Sequence, residues 1–171
     1  MSMHVHYSHR AFIGIGSNLN NPLEQVQRAI TALAGLPLCE VAAISPLYRT
    51  QPVGPQDQDD FINGAVELLT AYSPLALLDQ LQRLEQQQRR IRVRHWGPRT
   101  LDLDLLLYDE QLVDYARLQV PHKEFLKRPF AWKPVIDIAP DVRLPDGSRL
   151  HEHIQMSDAD DMVQMDALPA S

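Results

Sequence analysis

Between residues 89 and 104 the chain sets two kinds of phosphate-handling side chain next to each other. Arg89, Arg90, Arg92, Arg94 and Arg99 fall within eleven residues that hold no acid and no lysine. Arginine presents a planar fork that grips phosphate oxygens in pairs, which a lysine ammonium does not do. A solvated charge run has the same composition, so the arginines alone decide nothing. They lead, however, into Leu101-Asp102-Leu103-Asp104-Leu105-Leu106-Leu107. In a strand, residues two apart share a face, so Asp102 and Asp104 project together, about 7 Å apart. Aspartate is depleted in strands, and here two of them interrupt a leucine run. Solvated aspartates on an edge strand are the plainer alternative. Paired carboxylates can bridge two Mg²⁺ ions roughly 3.5–4 Å apart. Mg²⁺ takes few protein carboxylates and completes its shell with water and phosphate oxygens. Carboxylates beside an arginine segment therefore point to Mg-nucleotide and phosphoryl chemistry.

The familiar nucleotide signatures are missing. Gly14-Ile15-Gly16-Ser17-Asn18-Leu19 begins like a dinucleotide fingerprint, but Leu19 stands where the third glycine belongs. The chain has no Gly-Lys-Ser/Thr of a P-loop. A nucleotide would have to be held by arginines and metal. Gly16-Ser17-Asn18 reads as a tight turn between strand and helix.

The elements that must position these residues follow from the pattern. Ala11–Ile15 is a short buried strand. A helix follows, with Asn21 as cap, Pro22 at its first position and Glu24 at the capping-box position. Leu23, Val26, Ile30 and Leu33 recur at helical spacing, and Gly35 with Pro37 ends the run. Val41–Arg49 is a strand interrupted at Ser45-Pro46. Thr50–Asp60 is a loop. Phe61–Leu69 is a strand with Ile62, Val66 and Leu68 on one face and Phe61, Asn63, Ala65 and Glu67 on the other. Ser73-Pro74 starts a second helix, with Leu77, Leu78, Leu81 and Leu84 as its apolar stripe, running to about Gln88. Leu101–Tyr108 is the last strand. The order βαββαβ predicts an α+β, ferredoxin-like sandwich with a largely antiparallel sheet, helices packed on it and extra C-terminal elements. After Asp109 come short proline-separated pieces, then a mobile acidic tail from Ser157. The expected boundaries are one domain over residues 11–150, an N-terminal overhang over 1–10 and an acidic extension over 151–171.

Composition bounds the function. The chain has 171 residues, 44% hydrophobic and 22% charged, enough for one substantial core. The single cysteine, Cys39, excludes an intrachain disulfide and reads as a small buried strand residue. No apolar run reaches the roughly 18 residues needed to span a bilayer, and Met1–Arg10 has no apolar signal core. These features predict a cytoplasmic protein away from membranes. The net charge of −6 argues against a nucleic-acid partner. His4, His6 and His9 read as part of the overhang, and His151 and His153 have no evident partners. Nothing in the sequence fixes the oligomeric state.

His95-Trp96-Gly97-Pro98-Arg99-Thr100-Leu101-Asp102-Leu103-Asp104-Leu105-Leu106 resembles the signature of the 6-hydroxymethyl-7,8-dihydropterin pyrophosphokinase family. Gly14–Leu19, Tyr48-Arg49-Thr50, Gly54-Pro55-Gln56-Asp57-Gln58, Phe61-Ile62-Asn63 and Val120-Pro121-His122 resemble its other blocks, in the same order, over about Phe12 to Gly147. The resemblance implies a Mg-dependent enzyme of folate biosynthesis. Such an enzyme moves the β,γ-pyrophosphate of ATP to the pterin hydroxymethyl group and releases AMP. It implies Asp102 and Asp104 as ligands of two Mg²⁺, and Arg90, Arg92 and Arg99 on the triphosphate, with Arg90, Arg99 and the aspartates as catalytic residues. It adds His122, Arg128 and Glu85 on the nucleotide. Thr50, Pro52 and Val53 would meet the pterin edge, Asn63 would read it, Phe61 and Phe130 would sandwich the ring, and Trp96 would close over it. Family members are often monomers. Two departures stand out: Lys123 follows the Pro-His pair, where an aromatic is common, and His95 stands where arginine also occurs. Two other classes remain open at this point. One is a two-metal nucleotidyltransferase that cleaves at the α-phosphorus; the other is a non-catalytic ferredoxin-like binding module, such as one for RNA.

Overall fold

The computed structural model describes residues 7–18, 21–51, 60–90 and 101–165. Among the described residues, eight strands and three α-helices run in the order β1 (His9–Ser17), α1 (Pro22–Ala34), β2 (Cys39–Ile44), β3 (Tyr48–Thr50), β4 (Phe61–Thr70), α2 (Pro74–Arg90), β5 (Asp102–Tyr108), β6 (Val113–Asp114), β7 (Gln119–Val120), α3 (Pro129–Ile138) and β8 (Val163–Gln164). The main sheet has the order β5-β1-β4-β3-β8, with β2 also on β4, and every pairing is antiparallel. This is the expected ferredoxin-like core, since the first and third long strands lie side by side at its centre.

Both faces of the sheet are covered. Ala11, Ile13, Ile15, Val66 and Leu68 face Val26, Ala29, Leu33, Leu77 and Leu81 of α1 and α2, all essentially inaccessible. Burying each of the larger ones contributes about 1.5–3 kcal/mol. Phe12, Ala65, Leu106 and Leu107 face Trp132 and Val135 of α3, together with Leu144, Leu150 and Ala159. Strict alternation would separate Leu106 from Leu107. The register slips by one residue between Phe12 and Ile13, where Leu107 and then Leu105 are the partners. This bulge leaves Leu106 unpaired and turns both leucines to the α3 side.

Several local expectations are met and several are corrected. The Val41–Arg49 stretch divides at Ser45-Pro46 into β2 and β3. Ser73 Oγ accepts from Ala76 N–H at 3.3 Å and caps α2. Asn21 does not cap with its side chain; it sits in the left-handed region at φ 61°. Glu24 does not close a capping box but pairs with Arg28 at 2.6 Å, one turn on. The turn expected at Gly16-Ser17 is strand, because β1 runs on to Ser17. His9 and Arg10, expected in the overhang, begin β1 instead, and His9 Nδ1 lies 2.7 Å from Asp109 Oδ2. The tail is not mobile as far as Met165: Ala159 is buried, and β8 pairs with β3. His153, expected to lack a partner, meets Ser148 Oγ at 2.6 Å. Cys39 is a buried strand residue as expected, its thiol pushed up by burial. Among the described residues no helix is long and apolar enough to cross a membrane.

Candidate functional site

The sheet register builds the site. In one row across the sheet Asp102 lies opposite Gly16, Gly16 opposite Asn63, and Asn63 opposite Tyr48. In the next row Asp104 lies opposite Gly14 and Gly14 opposite Ala65. Thr50 lies opposite Phe61. The two glycines keep the floor of the sheet bare between the carboxylates and the amide. A Cβ on Gly16 would stand only 2.7 Å from Asn63 Oδ1, and one on Gly14 only 3.1 Å from Leu106 Cδ1. Side chains at either position would fill the floor.

Above this floor lies an open cleft of about 290 Å³. Asp102, Asp104, Asn63, Thr50, Phe61, Arg128 and Phe130 all line it, with Gly14 and Gly16 beneath. Seven of the residues singled out from the sequence thus meet in one place, drawn from β3, β4, β5 and the start of α3. Asn63 and Thr50 are each 7% exposed, and Asn63 Nδ2 donates to Thr50 Oγ1 at 2.6 Å. That bond fixes the amide and leaves Oδ1 as its acceptor end, over Gly16. Phe130 is in the first turn of α3, and the Arg128 guanidinium lies 5.8 Å from its ring centre. Arg128 therefore approaches the aromatic end of the cleft as a cation–π neighbour.

Glu85 and His122 are placed beside the cleft rather than in its lining. Glu85 reaches from α2 and accepts from Leu103 N–H at 2.8 Å, between the two aspartates in sequence. It holds the first residues of β5 in register. His122 N–H donates to Leu106 O at 3.2 Å, and His122 Nδ1 accepts from Glu124 N–H at 3.2 Å. With Nδ1 so engaged, the proton of the neutral ring sits on Nε2. Pro52, Val53, Arg92, Trp96 and Arg99, with the side chain of Arg90, lie outside the described residues.

The donor set suits a hard cation. Asp102 and Asp104 offer oxygens only, and among the described residues no three His, Cys, Asp or Glu side chains gather into a metal cage. Two carboxylates with the remaining positions left to water and phosphate oxygens match Mg²⁺ rather than Zn²⁺. Gly14 and Gly16, which in sequence begin like a dinucleotide fingerprint, instead form the bare floor of the sheet; their signal is two glycines two residues apart in a strand.

Residues 12–140 match the family model for 7,8-dihydro-6-hydroxymethylpterin-pyrophosphokinase (HPPK). The chain belongs to the HPPK family. A relative from Pseudomonas aeruginosa, named 2-amino-4-hydroxy-6-hydroxymethyldihydropteridine pyrophosphokinase, is 51% identical over 143 residues, covering 84% of this chain and 88% of that one. One of the same name from Haemophilus influenzae is 41% identical over 155 residues, covering 91% and 97%. Among solved structures, a Plasmodium falciparum HPPK-DHPS triple mutant superposes with a TM-score of 0.66 at 12% identity, over 88% of this chain. An HPPK-DHPS in complex with substrates gives 0.64 at 12% identity. This chain spans 43% and 45% of those two chains, and the likeness is one of fold.

Proposed function

We propose that this chain transfers the β,γ-pyrophosphate of ATP to the hydroxymethyl group of 6-hydroxymethyl-7,8-dihydropterin, releasing AMP, in folate biosynthesis. The observation that carries the reading is the division of one cleft. Paired carboxylates of β5 stand on one side of a glycine floor, the fixed amide of Asn63 with Phe61 on the same strand stands on the other, and Phe130 lines the same cleft from α3. Family membership supports the same reaction.

At the ring end, Phe61 and Phe130 stack on the two faces of the flat pterin. Asn63 Oδ1 accepts from its edge, and the Thr50, Pro52 and Val53 segment offers backbone groups beside it. Trp96 closes over the ring. At the phosphate end, Asp102 and Asp104 would hold two Mg²⁺, which would supply neutralisation of the phosphate charge. Arg90, Arg92 and Arg99 spread the rest of that charge over planar forks. His122 donates through Nε2, while Glu85 and Arg128 frame the nucleotide. The hydroxymethyl oxygen then attacks the β-phosphorus in line and gives up its proton, the bond from the β-phosphorus to the α-phosphate oxygen breaks, and AMP leaves. Catalysis rests on positioning and on charge stabilisation, as is general for phosphoryl transfer. The protein acts as a cytoplasmic monomer, with neither membrane nor nucleic acid as partner.

The test is separation of the nucleotides after incubation with Mg-ATP and the pterin. AMP in step with pyrophosphorylated pterin is expected. ADP would mean transfer of one phosphate, and free pyrophosphate would mean attack at the α-phosphorus; either rejects the reading.

A further inference from the structure

Three side chains outside the cleft join its two ring-binding walls. Tyr48 Oη donates to Asp137 Oδ2, and Lys133 Nζ donates to Asp137 Oδ1 and, at 3.2 Å, to Tyr48 Oη. The Lys133 ammonium also lies 5.5 Å from the centre of the Tyr48 ring. Tyr48 is 4% exposed, and the Lys133 and Asp137 side chains are 21% and 17% exposed. The closed triangle is thus largely withdrawn from water, where each bond counts for more than at a surface.

Its two ends matter. Tyr48 is in β3, two residues before Thr50 and directly opposite Asn63. Lys133 and Asp137 are in α3, whose first turn carries Phe130. Ala131 and Trp132 N–H donate to Arg128 O at 2.8 and 3.2 Å, but Pro134 has no N–H to give the Phe130 carbonyl four residues back, and Arg128 at the N-cap makes no side-chain capping bond. The turn is therefore one backbone bond short at Phe130, and Lys133, one turn beyond, adds a tie from α3 to β3. Burial and the bond to Asp137 push the Tyr48 hydroxyl up. Burial works against the Lys133 ammonium, but the bonds to Asp137 and Tyr48 outweigh it and raise it. The phenol therefore stays neutral and the ammonium charged through the working pH range.

We infer that Tyr48, Lys133 and Asp137 are positioning residues that fix α3 against β3, and so set the gap between Phe130 and Phe61 into which the flat ring slides. The inference rests on the reading of the cleft as the pterin site. It makes the triangle a determinant of ring affinity and not of nucleotide affinity or of the chemical step.

Steady-state kinetics of Tyr48→Phe and Lys133→Met, with each substrate varied in turn, test it. Tyr48→Phe keeps the ring and removes only the hydroxyl, so the core stays filled. The expected result is a rise of about tenfold in KM for the pterin, the scale of one lost bond to a charged partner. KM for ATP and kcat stay within about twofold, and the double variant is no worse than the more affected single one. A merely structural role would move both KM values together. Unchanged pterin KM in Tyr48→Phe, or equal rises for both substrates, overturns the inference while the wild-type reaction stands. Wild-type protein that yields no AMP with the pterin overturns the function and the inference with it. Should Tyr48→Phe prove unstable, Lys133→Met is scored by the same split.

Discussion

Gly16→Ala perturbs the ring end of the cleft through one atom. The added Cβ would stand 2.7 Å from Asn63 Oδ1, whereas ordinary contacts begin at 3.4 Å. The amide must retreat by 3.4 − 2.7, about 0.7 Å. It is not free to do so at no cost, because Nδ2 is bonded to Thr50 Oγ1 at 2.6 Å and both residues are buried. Gly16 and Thr50 flank Asn63 from opposite sides of the sheet, so a retreat from the new Cβ drives Nδ2 onto Thr50 Oγ1, already at 2.6 Å, and the amide must turn out of that bond to make room. Loss of a neutral buried bond costs about 1 kcal/mol, or about fivefold in affinity. The acceptor that should meet the pterin edge is displaced as well, so a rise of about tenfold in pterin KM is expected, with ATP KM within about twofold. Stability should change little, since alanine in a strand interior recovers about 0.5–1 kcal/mol of chain entropy. Gly35→Ala serves as the control: its Cβ would lie 3.6 Å from Ala32 O, an ordinary contact far from the cleft. The cause is isolated by repeating Gly16→Ala in an Asn63→Ala background, where it should cost almost nothing further. A full effect in that background, or unchanged pterin KM in the single variant, refutes the reasoning.

Two further outcomes are expected. Asp102→Ala and Asp104→Ala should each lower kcat by at least about a hundredfold with thermal stability nearly unchanged, because metal and transition-state charge are lost while both side chains line an open cleft; turnover near wild type in either variant rejects the metal role. Burial, with the Asp109 carboxylate beside it, pushes the Tyr108 phenol from 10.0 up to about 12. Folding favours the neutral phenol, so this contribution is complete below pH ~10 and is lost as pH rises toward ~12, about 2–3 kcal/mol at most. Denaturant titrations at alkaline pH should show a steeper loss of stability in wild type than in Tyr108→Phe, and parallel curves would contradict it.

The fold was legible where local chemistry and periodicity agree. Pro22 and Pro74 sit at helix starts, Ser45-Pro46 divides β2 from β3, and the spacing of Asp102 and Asp104 places both over the cleft. Strand alternation put Phe61 with Asn63 and Asp102 with Asp104 on shared faces, whereas Thr50, expected in a loop and found at the end of β3, was named only through the family resemblance. What escaped depends on partners distant in sequence. Helix α3 was hidden by Pro134, which forbids a helical hydrogen bond that tertiary packing of Trp132 and Val135 makes dispensable. Strand β8 lies in a stretch with no apolar run, and its pairing with β3 and the packing of the flanking Met162 and Met165 on the two cores depend on partners distant in sequence. The bulge at Leu106 has no signal in a leucine run, since every register there looks alike. Covering of the second sheet face by α3 and the C-terminal pieces also removes the open platform that a ferredoxin-like RNA-binding module needs.

The central claim is that the bond broken is the one between the α- and β-phosphates of ATP and that both outer phosphates move together. Phosphorus NMR of one reaction containing the chain, Mg-ATP and 6-hydroxymethyl-7,8-dihydropterin follows every phosphorus at once. The account predicts loss of the three ATP signals with equal growth of AMP and of a two-phosphorus diphosphate ester on the pterin. Growth of ADP with a pterin monophosphate, or of free pyrophosphate, would contradict it.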